Sequence, residues 1–427
     1  MRNPEQVLNI LAEHSSDSSY KYERLYRILF NEQMFYVAYQ RIHAKPGNMT
    51  AGTDKKTADG MSVDKVNKLI DSLKNETYSP KPARRVYIPK KNGKKRPLGI
   101  PAFADKLVQE VVKIILEAIY EGYLEWTSHG FRPNRSCHTA LKSFHNNFHG
   151  TKWFSEGDIK GFFDNIDHNV LIEILRERIL DERFLRLIRK FLNAGYLEEW
   201  QFNKTYSGTP QGGIVSPILA NIYLDKFDKF MEEYAQKFRK GTTRRRNKDI
   251  CKLNNRVHYL KKRISEVKDA DKISAMIDEL RTKQRQILTM PSGADMDENF
   301  RRLKYVRYAD DFLIGVIGTK EECVKIKADI TNFMQEKLKL EMSQEKTLIT
   351  NAQDYAKFLG YEICVRKDYT TQRNARGEMR RHRNGNVVLH ISREVIKKKL
   401  IDLAAMEVVS EKGKEVWRYK GRTYLMD

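Results

Sequence analysis

Residues 303–318 read LKYVRYADDFLIGVIG, two apolar runs around the polar tetrapeptide Tyr308-Ala309-Asp310-Asp311. That order predicts a strand, a tight polar turn and a second strand. Two adjacent carboxylates on a turn give a hard divalent cation oxygen ligands at a fixed point in space. A third carboxylate brought in from elsewhere makes a set able to hold two Mg²⁺ ions for in-line displacement at phosphorus. A polar hairpin tip without chemistry is the alternative, and the rest of the chain decides between them.

The 427 residues are enough for two or three subdomains with substantial cores. Lysine and arginine total 79 against 56 aspartates and glutamates, a formal charge of +23. A surplus that large favours a polyanionic partner, nucleic acid above all. The charge clusters at Arg84-Arg85, Lys90 to Arg96, Arg244-Arg245-Arg246 and Arg373 to Arg383. No apolar run approaches the roughly 18 residues that a membrane span needs, so no membrane association is expected. The first residues lack the apolar core of a signal peptide. Cys137, Cys251, Cys323 and Cys364 lie far apart without CxxC spacing, which predicts free thiols in a reducing cytosol and no structural zinc.

Residues 20–45 carry the pattern of one or two amphipathic helices, followed by a Gly/Thr/Asp loop. Residues 84–101 predict a hairpin turning at KKNGKK. Helical periodicity runs from Asp105 to Leu124 and over 167–193, with a strand expected at 152–159. A helix over 217–236 is expected to start from a Ser216 cap with Pro217 behind it. From 237 to about 300 the chain is strongly charged. Its apolar residues at 253, 257, 260, 264 and 267 step as a coiled-coil seam, and a break at Lys268 to Asp271 predicts an inserted antiparallel helical hairpin. A helix over 320–338, a strand over 345–350, a turn at 359–361 and a basic tail of mixed structure complete the expectation.

Asp158, in EGDIKGFFDNIDH, stands at the end of a predicted strand, where its carboxylate can meet Asp310 and Asp311. These three are the expected metal ligands, one ion activating a 3′-hydroxyl and the other the leaving pyrophosphate. Asp164 and Asp167 fall beyond the strand, where helix capping is the expected job. GTPQGGIVSP (208–217) is a glycine-rich turn into a helix N-terminus, suited to close approach of backbone to a nucleotide, which Gln211 can hydrogen-bond. A plain structural turn would use the same glycines. Arg84, Lys90 and Arg96 surround one hairpin and are suited to clamp a triphosphate.

HGFRPNRSCHTAL (129–141), GDIKGFFDNIDH, GTPQGGIVSP, YVRYADDFLIG and KFLGYEI, in that order, closely resemble the reverse transcriptases encoded by group II introns. LYRILFNEQMFYVAYQRI and PGNMTAGTDKKTADG resemble the N-terminal extension of those proteins. The resemblance implies an α+β, right-hand polymerase fold with fingers and palm, the palm an antiparallel sheet backed by helices. It divides the chain into an N-terminal extension (1–60), fingers (61–157), palm (158–236 and 301–365), the insertion (237–300), and a basic segment starting a thumb (366–427). It further implies that Phe163 is the aromatic gate excluding a ribose 2′-hydroxyl. Lys90 and Arg96 would hold the triphosphate, Arg84 would lie near the templating base, and Gln211 would contact the incoming nucleotide. Lys346 would protonate pyrophosphate, while Phe358, Leu359 and Gly360 would form the primer grip.

The implied activity is RNA-directed DNA synthesis with Mg²⁺, for which Mn²⁺ can substitute. Its partners would be intron RNA, an RNA template, a DNA primer and dNTPs, in the cytoplasm. A splicing cofactor (maturase) that binds intron RNA with little polymerase activity is the second reading, and RNA synthesis a third, which Phe163 opposes. The insertion's apolar seam is suited to pairing two protomers as a homodimer, and its basic base to docking on RNA. Only a fragment of thumb is expected in 366–427. No endonuclease is expected, because no His/Cys cluster of that kind is present.

Overall fold

The computed structural model describes residues 3–45, 47, 49–89, 95–198, 201–205, 207–208, 212–294, 296–368, 370–381, 384–411 and 414–420; Lys90 and Gln211 lie outside them. The chain opens with α1 (Pro4–Glu13), capped by the Asn3 side chain, which accepts from the Glu5 N–H. The stretch expected to be helical from residue 20 is shorter and divided. A 3₁₀ turn (Leu25–Phe30) gives way at Asn31, whose side chain caps α2 (Glu32–Ile42) and so starts a new helix. Buried Arg178 ties this N-terminal part to the body. Its guanidinium donates to the carbonyls of His14, Ser15, Asp17 and Ile119 and lies 4.3 Å over the Tyr123 ring.

Next come α3 (Val63–Lys74) and the antiparallel pair β1 (Ala83–Pro89) and β2 (Lys95–Ile100), in register from Arg84↔Ile100 to Pro89↔Lys95. Helix α4 (Phe103–Tyr120) is buried on almost every face. It is followed by α5 (Cys137–Asn147), held by a Ser136/Thr139 capping box, and by β3 (Trp153–Gly157). The stretch after β3 is three helices: α6 (Phe162–Asn165), α7 (His168–Arg176) and α8 (Glu182–Leu192). Asp167 and Asp181 each accept two backbone N–H groups at the N-termini of α7 and α8, which is why the expected single helical run divides. Strands β4 (Tyr196–Glu198) and β5 (Gln201–Asn203) join the first hairpin in a sheet of order β2-β1-β4-β5. Helix α9 (Ser216–Phe238) begins on Ser216 itself; Val215 precedes it and no side chain caps it. Ser216 is therefore the first helical residue, not the cap.

The insertion is α10 (Lys248–Glu266) and α11 (Ala270–Leu288), joined by three residues, with Asp269 capping α11. Leu260 is buried between them, and positions 253, 257, 264, 273, 277, 280 and 287 are half-buried. Arg256 forks onto Glu279 at 2.8 Å. The apolar seam thus packs between the two helices of one chain, with most of its positions left part-exposed. The ends of the insertion meet: Lys240 and Arg301 exchange both backbone hydrogen bonds, at 3.2 and 3.1 Å.

Strands β6 (Arg302–Tyr308) and β7 (Asp311–Ile317) form the hairpin read from the sequence. Helix α12 (Lys320–Leu338) follows, with a Thr319/Glu322 capping box. The next strand, β8 (Ile349–Asn351), lies later than expected, because Ser343 is pinned by its N–H to the Asp158 carbonyl and residues 343–347 turn instead. Strands β9 (Ala356–Phe358), β10 (Tyr361–Val365) and β13 (Val387–Ile391) make a second sheet. A small hairpin, β11 (Thr371–Arg373) and β12 (Met379–Arg381), precedes β13; α13 (Arg393–Asp402) and the pair β14 (Met406–Glu411) and β15 (Lys414–Tyr419) end the described chain.

The central sheet runs β6-β7-β3-β8, antiparallel throughout. Both of its faces are covered. Tyr305, Phe312, Ile314 and Val316 enter the larger core with α4, α7, α8, α9 and α12. Phe154, Val306 and Leu313 pack on the other side with α5 and the β9–β10–β13 sheet. Two-sided burial explains why 312–317 is continuously apolar instead of alternating. Because the insertion departs from and returns to one hydrogen-bonded pair, replacing residues 242–299 by a short glycine turn should leave the central sheet intact. Thermal unfolding of that variant should remain a single cooperative transition.

Candidate active site

Strand register places the three aspartates together. Gly157 pairs with Phe312 across β3 and β7, so Asp158 and Asp311, one residue further on each strand, are neighbours. A Cβ on Gly157 would stand 2.1 Å from the Phe312 ring, so any larger residue here would have to displace that buried ring. Tyr308 pairs with Asp311, leaving Ala309 and Asp310 as a two-residue turn. Ala309 has φ +56°, a left-handed conformation that costs a non-glycine residue energy and persists only when its surroundings enforce it.

Those surroundings can be named. Gly130 lies so close that a Cβ there would meet the Ala309 nitrogen at 2.4 Å. The Gly130 carbonyl accepts from Asn221 on α9 at 2.7 Å. Fully buried Arg307 donates to the Ala309 carbonyl at 2.9 Å, to Ser128 Oγ at 2.7 Å, and to both oxygens of Asp228 on α9, with Nε to Oδ1 at 2.7 Å. Tyr305 also donates to Asp228, at 2.7 Å. The backbone of Arg307 pairs with Thr127 and His129. One buried ion pair therefore joins the HGF loop, α9 and the strand that ends in the turn. Sequence reasoning missed it, although a signal existed: Asn221, Asp225 and Asp228 form a polar stripe on a helix otherwise apolar enough to be buried.

The carboxylates crowd one another. Partial desolvation, then the charges of Asp310 and Asp158, push the Asp311 carboxyl up to about 7. Asp310 is raised by burial and by Asp158, against the opposing charges of Arg96 and Lys346. Lys346 Nζ donates to Asp158 Oδ2 at 2.9 Å, and that bond holds the ammonium in its charged form. Among the described residues no three carboxylate, imidazole or thiol groups are already gathered at ion-holding distance. The donor chemistry nevertheless suits a hard divalent cation: all oxygen, with negative charge that Lys346 and Arg96 offset only in part and that a cation would relieve.

The other expected residues divide. Phe163 is half-buried, its ring edge-on to exposed Phe131 at 6.3 Å. The glycine-rich loop packs behind it: a Cβ on Gly208 would meet the carbonyls of Phe163 and Asp164 at 2.7 Å. Arg84 instead donates Nε and Nη2 to the Ala51 carbonyl at 3.1 and 2.9 Å, tying the N-terminal loop to β1. Leu359 and Gly360, at φ +51° and +82°, form the tight turn between Phe358 and Tyr361, with the Phe358 ring buried in the second core. Lys90 and Gln211 fall outside the described residues.

A central antiparallel sheet with an aspartate pair on one turn and a third aspartate on the next strand defines a palm-type nucleotidyl-transfer fold. The reverse transcriptase (RNA-dependent DNA polymerase) family model matches residues 88–252 and 274–363, and the chain belongs to that family. The group II intron-encoded protein LtrA of Lactococcus lactis subsp. cremoris is 47% identical over 95% of this chain and 67% of its own length. An uncharacterized 91 kDa protein in the cob intron of Schizosaccharomyces pombe is 42% identical over 92% of this chain and 47% of its own. The solved Sicinivirus 3Dpol RNA-dependent RNA polymerase covers 94% of this chain and 73% of that one, at 12% identity and a TM-score of 0.45, too remote to add to the argument.

Arg307→Met would leave Asp228 buried without its partner and should lower unfolding free energy by about 3–5 kcal/mol, read by urea denaturation. The Asp311 carboxyl, raised above its unfolded value, favours the folded state at low pH, and that contribution disappears as pH rises through about 7. With chelator present, wild-type melting temperature should therefore fall between pH 5.5 and 8 more than that of Asp311→Asn, in differential scanning fluorimetry at about half-unit pH steps.

Proposed function

We infer that this chain extends a DNA primer on an RNA template with deoxynucleoside triphosphates, and that Asp158, Asp310 and Asp311 are its metal-binding and catalytic residues. The observation that carries the reading is the strand register, Gly157 opposite Phe312, which makes two distant aspartates neighbours beside a third. Divalent cations bound there, Mg²⁺ or Mn²⁺ in its place, would lower the pKa of a primer 3′-hydroxyl and neutralise the departing pyrophosphate. Arg307 and Gly130 hold the turn that aims Asp310. Lys346, charged and bonded to Asp158, would give a proton to the leaving pyrophosphate. Arg96, whose charge acts on Asp310, would hold the triphosphate. Phe163, braced by Phe131 and by the Gly208 loop, would exclude a ribose 2′-hydroxyl. Phe358, Leu359 and Gly360 would grip the primer.

The family's chemistry depends on divalent metal and on nucleic acid. The finer partners proposed for this chain are intron RNA, an RNA template and a DNA primer, with a maturase role in splicing beside synthesis. LtrA's name as an intron-encoded protein and the +23 charge support that role. Among the described residues no helix is long and apolar enough to cross a membrane; a cytoplasmic location is proposed from the likeness to a bacterial relative.

Primer extension on an RNA template should proceed with dNTPs and Mg²⁺, and Asp310→Ala should remove it by at least about a thousandfold. Product from that variant at the wild-type rate would remove Asp310 from the site. Phe163→Ala should raise ribonucleotide incorporation relative to deoxynucleotide, measured as the ratio of kcat/KM values; an unchanged ratio would withdraw the gate.

A further inference from the structure

A cavity of about 770 Å³ opens at the end of the palm strands remote from the carboxylates. Several separate parts of the chain wall it, among them the loop 149–152 leading into β3, the base of the inserted hairpin (Arg244 with 287–294), residues 351–353 at the end of β8, and the turns 365–367 and 384–386. Its lining includes His149, Lys152, Arg244, Arg366, Lys367 and Arg380, and no aspartate or glutamate is among the described residues that line it. Arg380 also meets Glu378, at 3.3 Å, on the edge hairpin outside the cavity. Natural surfaces intersperse both signs, so a concave wall of one sign focuses potential onto an anion.

Two further observations point to a ligand. Thr151 Oγ1, in a residue 3% exposed, and Asn384 Nδ2 are buried polar atoms of the lining with no hydrogen-bond partner among the described residues. A buried polar group without a partner is costly and calls for an explanation. The wall is also pre-formed. Gly150 N–H donates to the Gly385 carbonyl at 2.8 Å, Gly385 N–H to the Arg366 carbonyl at 2.9 Å, and Arg366 N–H to the Asn386 carbonyl at 2.8 Å. The segments that carry Lys152 and Arg366 are thereby bonded through their backbones by way of Gly385.

We propose that this cavity is a second RNA site, which takes the sugar-phosphate backbone of a single RNA strand. Lys152 precedes Asp158 by six residues of largely extended chain, about 20 Å at strand rise, so a strand held here is not the reacting triphosphate. The cations outnumber what one phosphate needs. Phe300 and His149 are the only aromatic rings among the described residues of the lining, so affinity comes from phosphates and is indifferent to base sequence. The inserted hairpin acquires a role: its base closes one wall of the site. RNA as the occupant rests on the polymerase reading.

The test uses the whole chain with Lys152→Gln and Arg366→Gln combined, and Lys367→Gln as a second variant. Binding of fluorescein-labelled oligouridine is followed by anisotropy across a salt series, beside single-nucleotide extension of a pre-annealed primer and template at saturating concentration. The double variant should bind oligouridine about tenfold more weakly, with the logarithmic salt slope reduced by about 1.4, that is about 0.7 for each phosphate no longer neutralised. Lys367→Gln should move both quantities in the same direction by about half as much, and extension by both variants should stay within about twofold of wild type. Unchanged affinity and slope in both variants would overturn the proposal. Displacement of oligouridine by millimolar inorganic phosphate would overturn it in favour of a small-anion site, and a strong preference for one homopolymer would overturn the backbone mode. Wild-type protein that fails to extend while the variants still lose RNA binding would sink the polymerase reading and leave the cavity standing.

Discussion

The ion pair between Arg307 and Asp228 is the contact on which the site depends. Both groups are fully removed from water, where unpaired charge is expensive, and each finds more than the other. Asp228 also takes the Tyr305 hydroxyl, and Arg307 also reaches Ser128 and the Ala309 carbonyl. A hydrophobic pair of similar volume would fill the space but would not reach that carbonyl. Polarity here fixes a conformation: it holds an alanine in left-handed backbone at the point where two carboxylates must be presented.

Around that contact the fold works against its own electrostatics. Three carboxylates are gathered by strand register into a partly buried site, and the cost, desolvation first and like charge second, shows in the raised carboxyls of Asp310 and Asp311. Burial of the sheet on both faces supplies the rigidity to sustain it, with α4 and α9 behind and α5 with the second sheet in front. Lys346 and Arg96 offset the repulsion in part. A site strained in this way is complementary to cations and to a negatively charged substrate, not to its own resting state.

Much of this was legible in the sequence because it rests on short-range rules. The two apolar runs around Tyr308-Ala309-Asp310-Asp311 could hardly be anything but a hairpin, and a four-three-four-three seam declared the inserted helices. Asp158 stands apart from Asp164 and Asp167 by its place at a strand end; Asp167 does cap a helix, whereas Asp164 lies within the short helix α6, which no side chain caps. What was not legible depends on distant partners. Arg84, basic and flanking a hairpin, also gives two of its N–H groups to a carbonyl 33 residues earlier in the chain, a contact that no local pattern announces. Ser216 reads as a cap, but Val215 before it is already in helical backbone, so the helix starts one residue earlier than a cap at 216 allows. The partners of Arg307 come from residues 128, 228 and 309, and no local pattern joins them.

The central claim is that the three aspartates hold divalent cations beside a bound nucleotide, and counting those cations tests it most directly. Mn²⁺ would be titrated by electron paramagnetic resonance into the protein with primer, RNA template and a non-incorporable dNTP analogue, for wild type and for Asp311→Asn. The account predicts about two ions per chain in wild type and loss of at least one in the variant. Equal stoichiometry and affinity in the two proteins would contradict it.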